Sequence, residues 1–273
     1  MTTPSPTDAP PGGWIEPYAG MAFRDRATSI DATAEHKALR QCGIDPALYG
    51  DTIDPATFVS HAIHEGVRNA VHAIGTVNMA QRIVQRGPLR LGEPITVSGR
   101  VLDVEVVPRG KVATTEVHFT PADSGRGAMA GRRSLRPDPA RAGVRGAGEK
   151  VASVVEDPTA LRIVDRVALT PAMVAGYDSE GINPIHSDPD AARAAGFRAP
   201  IIGGGMGVRW LTAAIWKRFP PLVLELEIYF RRPIFWDDSV SVRVAEHGAT
   251  WTAICLEKDG KVATEARIHR LEA

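Results

Sequence analysis

Two stretches of this chain repeat each other: residues 86–97 (RGPLRLGEPITV) and residues 231–242 (RRPIFWDDSVSV) align without a gap at a constant offset of 145. Each contains Arg-x-Pro and an aliphatic residue, then a turn with an acidic residue, then alternating apolar and polar positions. This alternation is typical of a half-buried β-strand. The repeat predicts that one α+β unit is duplicated within the chain.

The segments after each copy strengthen this prediction. Strand-like runs at 99–107 and 111–119 follow the first copy, and runs at 240–246, 250–257 and 262–271 follow the second. The last two are joined by Lys258-Asp259-Gly260-Lys261, a hairpin signal. Each half is therefore expected to end in an antiparallel meander. Each half should also supply a helix, at 206–219 before two prolines and within 55–73 after a capping Asp54.

The composition is that of an ordinary globular protein. The chain has 273 residues, of which 44% are hydrophobic and 23% charged, and this length favours two domains. Residues 1–13 are rich in Pro, Thr and Ser and are predicted to be a disordered tail. Residues 137–157 are predicted to be a linker. It separates an N-terminal repeat at 14–136 from a C-terminal repeat at 158–273.

The charge balance gives no reason to expect a nucleic-acid or membrane partner. Lysine plus arginine and aspartate plus glutamate both number 32, so the formal charge is zero. No run approaches the ~18 apolar residues of a membrane span. The two cysteines, Cys42 and Cys255, fit no metal spacing or disulfide framework. With no apparent signal peptide, the expected location is the cytoplasm.

A short loop carries the strongest candidate for chemistry. Residues 177–189 read YDSEGINPIHSDP, and Pro184 disfavours helix at Asn183, which predicts a bent loop. The imidazole of His186 can accept and donate a proton near neutral pH. Asn183 could orient it or hold a water, or could only form the turn. Asp188 is expected to cap the short helix that follows.

Three glycines precede the predicted helix at 206–219. Free N–H groups of Gly203, Gly204 and Gly205 at a helix start could hold a phosphate or the oxygen of a thioester. The alternative is that they only let the helix pack closely against the sheet. Elsewhere, the His61 and His64 pair is expected on a packed or solvated helix and not at a metal. Arg209 could contact a phosphate, but a solvated face is the commoner explanation and is expected here.

With these residues in view, the chain resembles the MaoC-like hydratase/dehydratase family, which includes the (R)-specific enoyl-CoA hydratases. The resemblance covers residues 161–271 well and 14–136 faintly. The stretch at 200–206 (PIIGGGM) is similar to a family Pro-Ile-Val-His-Gly-Met motif, with one extra residue and no histidine. The loop positions that fit the family pattern are Tyr177, Ser179, Glu180, Asn183, Pro184, Ile185 and His186.

The resemblance implies an α+β double hot-dog fold, in which one continuous antiparallel sheet surrounds central helices. It implies an acyl thioester of coenzyme A or an acyl carrier protein as the partner, and reversible syn hydration of a trans-2-enoyl thioester. No cofactor or metal is implied, and a homodimer is plausible. The candidate catalytic residues are His186, Glu180 and Asn183, and the candidate substrate-binding residues are Tyr177, Gly181, Ser187, Gly203, Gly204, Gly205 and Met206.

One position departs from the family pattern. Gly181 stands where the family has an aspartate, and glycine cannot transfer a proton. Either Glu180 or a substrate group compensates, or the chain catalyses a different thioester reaction. A third alternative is a non-catalytic subunit that binds acyl thioesters or a partner.

Overall fold

The computed structural model of the chain describes residues 13–123, 125–141, 143–144, 146–148, 151–177 and 183–273. Glu180 and Gly181 therefore lie outside the described residues. The helices are α1 Ala32–Gln41, α2 Thr57–Arg68, α3 Pro171–Tyr177, α4 Pro189–Ala194 and α5 Gly204–Arg218. The strands are β1 Arg26–Thr28, β2 Val77–Arg86, β3 Ile95–Val107, β4 Gly110–Pro121, β5 Gly127–Pro137, β6 Arg162–Ala168, β7 Val223–Phe230, β8 Ser239–His247, β9 Thr250–Lys258 and β10 Lys261–Glu272.

All these strands join one sheet, in the order β1-β3-β4-β5-β2-β7-β10-β9-β8-β6. Every neighbouring pair is antiparallel. The two halves have the same strand order: β1-β3-β4-β5-β2 in the first half corresponds to β6-β8-β9-β10-β7 in the second, and β2 and β7 meet at the centre. The predicted α+β fold with one continuous antiparallel sheet is confirmed.

The two halves meet where β2 pairs with β7. The register runs from Ala80 opposite Tyr229 to Arg86 opposite Val223. An ion pair between Arg82 and Glu225 crosses the same junction, at 2.5 Å between Nη2 and Oε1. Because the strands join edge to edge, neither half keeps a free sheet edge at the junction.

The predicted strands and hairpin agree with the structure. Each predicted run lies within an observed strand, and the observed strands extend one to four residues further at an end. In the β9–β10 turn, Asp259 and Gly260 have φ values of 51° and 72°. Two successive positive φ values define the type I′ turn that matches the twist of a hairpin, which explains the Asp-Gly sequence.

Helix α5 is the buried centre of the second half. It begins two residues before the prediction and ends one residue before it. Its residues from Met206 to Trp216 are all buried, and Leu211 and Ile215 are fully enclosed. A helix buried on all sides is a core element rather than an amphipathic surface helix. The aliphatic side chains of β7 and β9, such as Leu226 and Ile254, complete this core.

A buried charged cluster joins α5 to the first half. Arg209 donates to Glu35 of α1 at 2.8 and 2.9 Å and to Asp54, just before α2, at 2.9 Å. Thr212 donates to the other oxygen of Asp54 at 2.7 Å. The Arg209 side chain is only 4% exposed. The expectation of a solvated face was therefore wrong, because two carboxylates from the other half compensate its charge.

The pKa values of the two carboxylates in this cluster shift in opposite directions. Burial acts to raise the pKa of Glu35, but the Arg209 charge and hydrogen bonds from Arg209 and Thr57 bring it below its ordinary value. Burial raises the pKa of Asp54, and Arg209 offsets this only in part. The Asp54 carboxylate also accepts the N–H of Ala56 at 3.0 Å. The predicted capping role of Asp54 was wrong, because α2 begins at Thr57 with Ala56 as its N-cap and no side-chain cap hydrogen bond.

The predicted boundaries between tail, repeats and linker stay a prediction. Residues 1–12 of the predicted tail lie outside the described residues. Strand β5 ends at Pro137 and β6 begins at Arg162. Between them, Val154 and Val155 donate their N–H groups to Glu265 of β10, at 3.1 and 2.8 Å. In the described part of the chain, no helix combines the length and apolar character that crossing a membrane requires.

Replacing Arg209 with Met tests the buried cluster, because it leaves Glu35 and Asp54 in the core without a counter-charge. We expect the free energy of unfolding, measured by urea denaturation, to fall by about 3–5 kcal/mol. The matched control is Arg82→Met, which also removes an ion pair between the halves. The Arg82 side chain is 52% exposed, so we expect a loss of about 0–1 kcal/mol. Equal losses in the two variants would contradict the assignment.

Candidate active site

The loop that carries His186 is built from two side-chain caps. A single 3-10 turn spans Pro184–His186, and the Asn183 side chain accepts the N–H of Ile185 at 3.3 Å. Asp188 then caps α4 by accepting the N–H of Asp190 at 2.8 Å, as predicted. Because the Asn183 oxygen is engaged in the turn, the geometry favours the turn-forming alternative, and a catalytic role for Asn183 stays a prediction.

The imidazole of His186 is held by one backbone carbonyl. Its Nδ1 lies 2.8 Å from the oxygen of Ile201. Because a carbonyl oxygen only accepts, Nδ1 must carry the hydrogen, and the neutral ring keeps its lone pair on Nε2. Burial lowers the pKa of His186, and the bond to Ile201 opposes this only in part. At neutral pH the ring is therefore uncharged and Nε2 can act as a base.

Nε2 of His186 faces the glycine-led start of α5. It lies 3.9 Å from the point that a Cβ on Gly203 would occupy. Gly203 is the N-cap, and α5 begins at Gly204. The N–H groups of Gly204 and Gly205 precede the first carbonyl acceptors of the helix, and the helix dipole adds partial positive charge at this end. A base and a set of amide hydrogens therefore lie close together.

Both halves of the chain line this helix start. A Cβ on Gly204 would lie 2.9 Å from the Phe230 ring and 3.2 Å from the Asn78 amide nitrogen. A Cβ on Gly205 would lie 2.8 Å from the Ser60 hydroxyl and 3.2 Å from the Tyr177 hydroxyl. Only glycine leaves this space free. Ser60 on α2 and Asn78 on β2 were missed from the sequence, since no motif marks either residue.

Tyr177 connects the helix start to the buried charged cluster. Its hydroxyl accepts from Nε of Arg209 at 3.3 Å. Burial raises the pKa of Tyr177 to about 12. The hydroxyl therefore stays protonated at neutral pH and can donate a hydrogen bond while it accepts one from Arg209.

The other predicted site residues differ in their exposure and in their hydrogen bonds. Ser187 is exposed, and its N–H closes the 3-10 turn on the Pro184 carbonyl at 3.1 Å. Met206 is not at the surface of the site, because its side chain is fully buried and its N–H is bonded to the Gly203 carbonyl at 3.0 Å. Glu180 and Gly181 stay predictions. Among the described residues, no group of three or more His, Cys, Asp or Glu side chains is arranged to hold a metal.

A large antiparallel sheet with a site at the start of its buried helix defines the class of hot-dog proteins, and comparison with solved structures agrees. HtdX from Mycobacterium tuberculosis is 20% identical, with a TM-score of 0.71, and covers 92% of this chain and 100% of its own. A MaoC-like dehydratase from Phytophthora capsici is 16% identical, with a TM-score of 0.70 over 93% and 97%. An acyl-ACP thioesterase from Bacteroides thetaiotaomicron is 10% identical, with a TM-score of 0.56 over 90% and 96%.

A family model matches the second half of the chain. Residues 153–267 match the family model described as MaoC like domain. A search of curated protein sequences found no match. The match confirms the MaoC-like resemblance for residues 153–267, and the (R)-specific subtype stays a prediction.

Alanine substitutions at adjacent glycines test the packing of the helix start. Gly204→Ala places a methyl group against Phe230, and we expect it to lower the free energy of unfolding by about 1–3 kcal/mol through overpacking. Gly203→Ala is the matched control, because its methyl group would meet its nearest neighbour at an ordinary 3.9 Å. Thermal unfolding of both variants checks this. A stable Gly204→Ala protein would contradict the described packing.

The burial of His186 predicts its titration. The pKa of His186 should lie below the ordinary value of 6.5, measured from the pH dependence of its imidazole NMR signals, with His186→Gln identifying them. Since protonation then favours the unfolded chain, stability relative to His186→Gln should be complete above about pH 6.5. It should decrease as the pH falls from about 6.5 to the lowered pKa of His186 in the folded protein. A pKa of 6.5 or higher would show that the ring is not held as described.

Proposed function

We propose that this protein hydrates a trans-2-enoyl thioester, and dehydrates the corresponding (R)-3-hydroxyacyl thioester, at the start of α5. The observation that carries the proposal is the direction of His186, whose basic Nε2 faces the Gly203–Gly205 turn. The MaoC-like domain of the second half supports the reaction class. In this proposal, coenzyme A or an acyl carrier protein carries the acyl group as a thioester. The protein acts in the cytoplasm and can form a homodimer.

In the proposed reaction, the thioester oxygen accepts hydrogen bonds from the N–H groups at Gly204 and Gly205. These groups stabilise the negative charge that develops on that oxygen. Nε2 of His186 removes a proton from water as the hydroxyl oxygen bonds to C3 of the enoyl group. The electron pair of the C2–C3 double bond moves toward the thioester carbonyl. The enolate then takes a proton at C2, which completes the addition of one water.

Gly181 replaces the family's aspartate, and this replacement affects how the water is held but not the proton transfer by His186. In a syn addition, the hydroxyl and the proton reach the same face of the double bond. The imidazolium formed at His186 can therefore return its proton to C2 without a second acid. We propose that Glu180 helps to hold the water that the family's aspartate would otherwise bind.

Tyr177 and Ser60 are proposed to contact the bound acyl thioester. Their hydroxyl groups meet beside Gly205. The Tyr177 hydroxyl already accepts from Arg209, so its own hydrogen is available to an acceptor on the substrate or on Ser60. Asn78 borders the other side of the helix start. The substrate pocket would then be shared between the two halves.

A binding role without catalysis is the second candidate, and the glycine at position 181 favours it. Loss of one of two proton-transfer groups typically lowers a rate by ~10²–10⁴. The chain would then bind an acyl thioester with the same helix start and hand it to a partner. Binding of crotonyl-CoA without turnover would support this second candidate.

Hydration of crotonyl-CoA, followed by loss of the enoyl absorbance, tests the proposed function. We expect activity in the wild type and a decrease of ~10²–10⁴-fold in His186→Ala, because the base is removed. Glu180→Gln should reduce the rate less than His186→Ala. His118→Ala is the matched control, since the His118 side chain is 46% exposed on β4. An inert wild type, indistinguishable from His186→Ala, would exclude hydration.

A further inference from the structure

A cavity with both apolar and polar lining residues lies in the first half, between the second half of α2 and the strands β4 and β5. Its lining includes Gly66, His72, Thr76, Arg132 and Ser134. The cavity has a volume of about 40 Å³. One water needs roughly 10–15 Å³ on this scale, so the space accommodates a group of several atoms.

Arg132 is the unusual residue of this cavity. Its Nη2 donates to the Thr76 hydroxyl at 2.9 Å, while its Nε is buried without an acceptor. Within the described residues no carboxylate pairs with it. Burial lowers the pKa of Arg132 to about 10, so the guanidinium is still charged at neutral pH. Arg209, the buried arginine discussed above, has two carboxylates as partners, whereas Arg132 has none among the described residues.

The surrounding groups add to the positive character of the cavity. Lys111 and Arg136 share one carboxylate, Glu16, at 2.9 and 3.1 Å. Three cationic side chains of the lining therefore face a single acidic one. His72 also has a buried Nδ1 without a hydrogen-bond partner. Its ring is fixed edge-on against Trp14, with 4.6 Å between centroids.

We propose that this cavity binds a small oxyanion, a carboxylate or a phosphate group, through Arg132. The oxygens of such a group would accept from the unpaired Nε–H of Arg132 and from Nδ1–H of His72. A planar guanidinium suits this role, because it presents several donors to the same anion. The bound anion would also balance the positive charge of Arg132, which pairs with no carboxylate of the described residues.

The sheet register places this cavity beside the candidate active site. Asn78 is opposite Ser134, and Gln81 is opposite Arg132. Directly opposed residues of antiparallel strands point to the same face, and Asn78 also borders the start of α5. The anion could therefore be the far end of an acyl group bound at that site, or a free ion. The two sources share the same recognition chemistry.

Thermal unfolding in sodium acetate, sodium phosphate or sodium chloride at equal ionic strength tests the proposal. Acetate or phosphate should raise the Tm of the wild type above its value in chloride, increasingly with concentration. Arg132→Met should lose this response, with binding at least tenfold weaker. The variant should remain folded, because it removes a partly buried charge that no carboxylate of the described residues compensates. Arg132→Lys, which keeps a charge without the planar fork, should retain only part of the response.

Arg133→Met is the matched control. Arg133 is adjacent on β5, so it points to the opposite face, and it pairs with Glu105 at 3.0 Å. It should respond to acetate and phosphate as the wild type does. The proposal is overturned if the wild type does not respond, which would mean that the cavity holds water only. It is also overturned if Arg132→Met and the wild type respond equally.

The two sources of the anion can be separated in the inactive His186→Ala protein. If the acyl group supplies the carboxylate, glutaconyl-CoA should bind at least tenfold more tightly than crotonyl-CoA and compete with acetate. If the anion is free, the two thioesters should bind equally while acetate still raises the Tm. Either result supports an oxyanion site. The response to acetate does not require turnover, so it distinguishes failure of this proposal from failure of the proposed hydration.

Discussion

The antiparallel pairing of β2 with β7 is the constraint on which the rest of the structure depends. It joins two halves of equal strand order into one sheet and sets the register between them. Since side chains alternate between the faces of a strand, a slip of one residue would turn Asn78 and Gln81 away from the helices. With the observed register, residues of the first half reach the start of α5, and the candidate site belongs to the whole chain.

Around that helix start, the structure fixes polar groups by different means. His186 is held by one carbonyl, which sets its tautomer, and Tyr177 is held by Arg209, whose charge is compensated within the core. Each arrangement fixes the direction of one polar group, and such preorganisation is a general requirement of catalysis. In the part of the chain that the structure describes, Arg132 has no comparable compensation, which is why we assign it to ligand binding and Arg209 to the fold.

Local sequence signals were enough to predict much of the fold and part of the site. The repeated strands, the Asp259-Gly260 hairpin and the helix ended by two prolines each depend on neighbouring residues. The convergence of His186 on the glycine turn was also predictable, because one short helix separates them. The burial of Arg209 was not, because its partner Glu35 is 174 residues away. Ser60 reaches the site only through the packing of α2 beside α5, which no motif encodes.

A crystal structure with an (R)-3-hydroxybutyryl analogue of coenzyme A, in which a methylene group replaces the thioester sulfur, is the most direct test of the central claim. We expect the carbonyl oxygen to lie within about 3.5 Å of a backbone nitrogen at Gly204 or Gly205. We also expect the 3-hydroxyl group to lie within hydrogen-bond distance of Nε2 of His186. An acyl group bound away from the start of α5, with Nε2 bonded to protein instead, would contradict it.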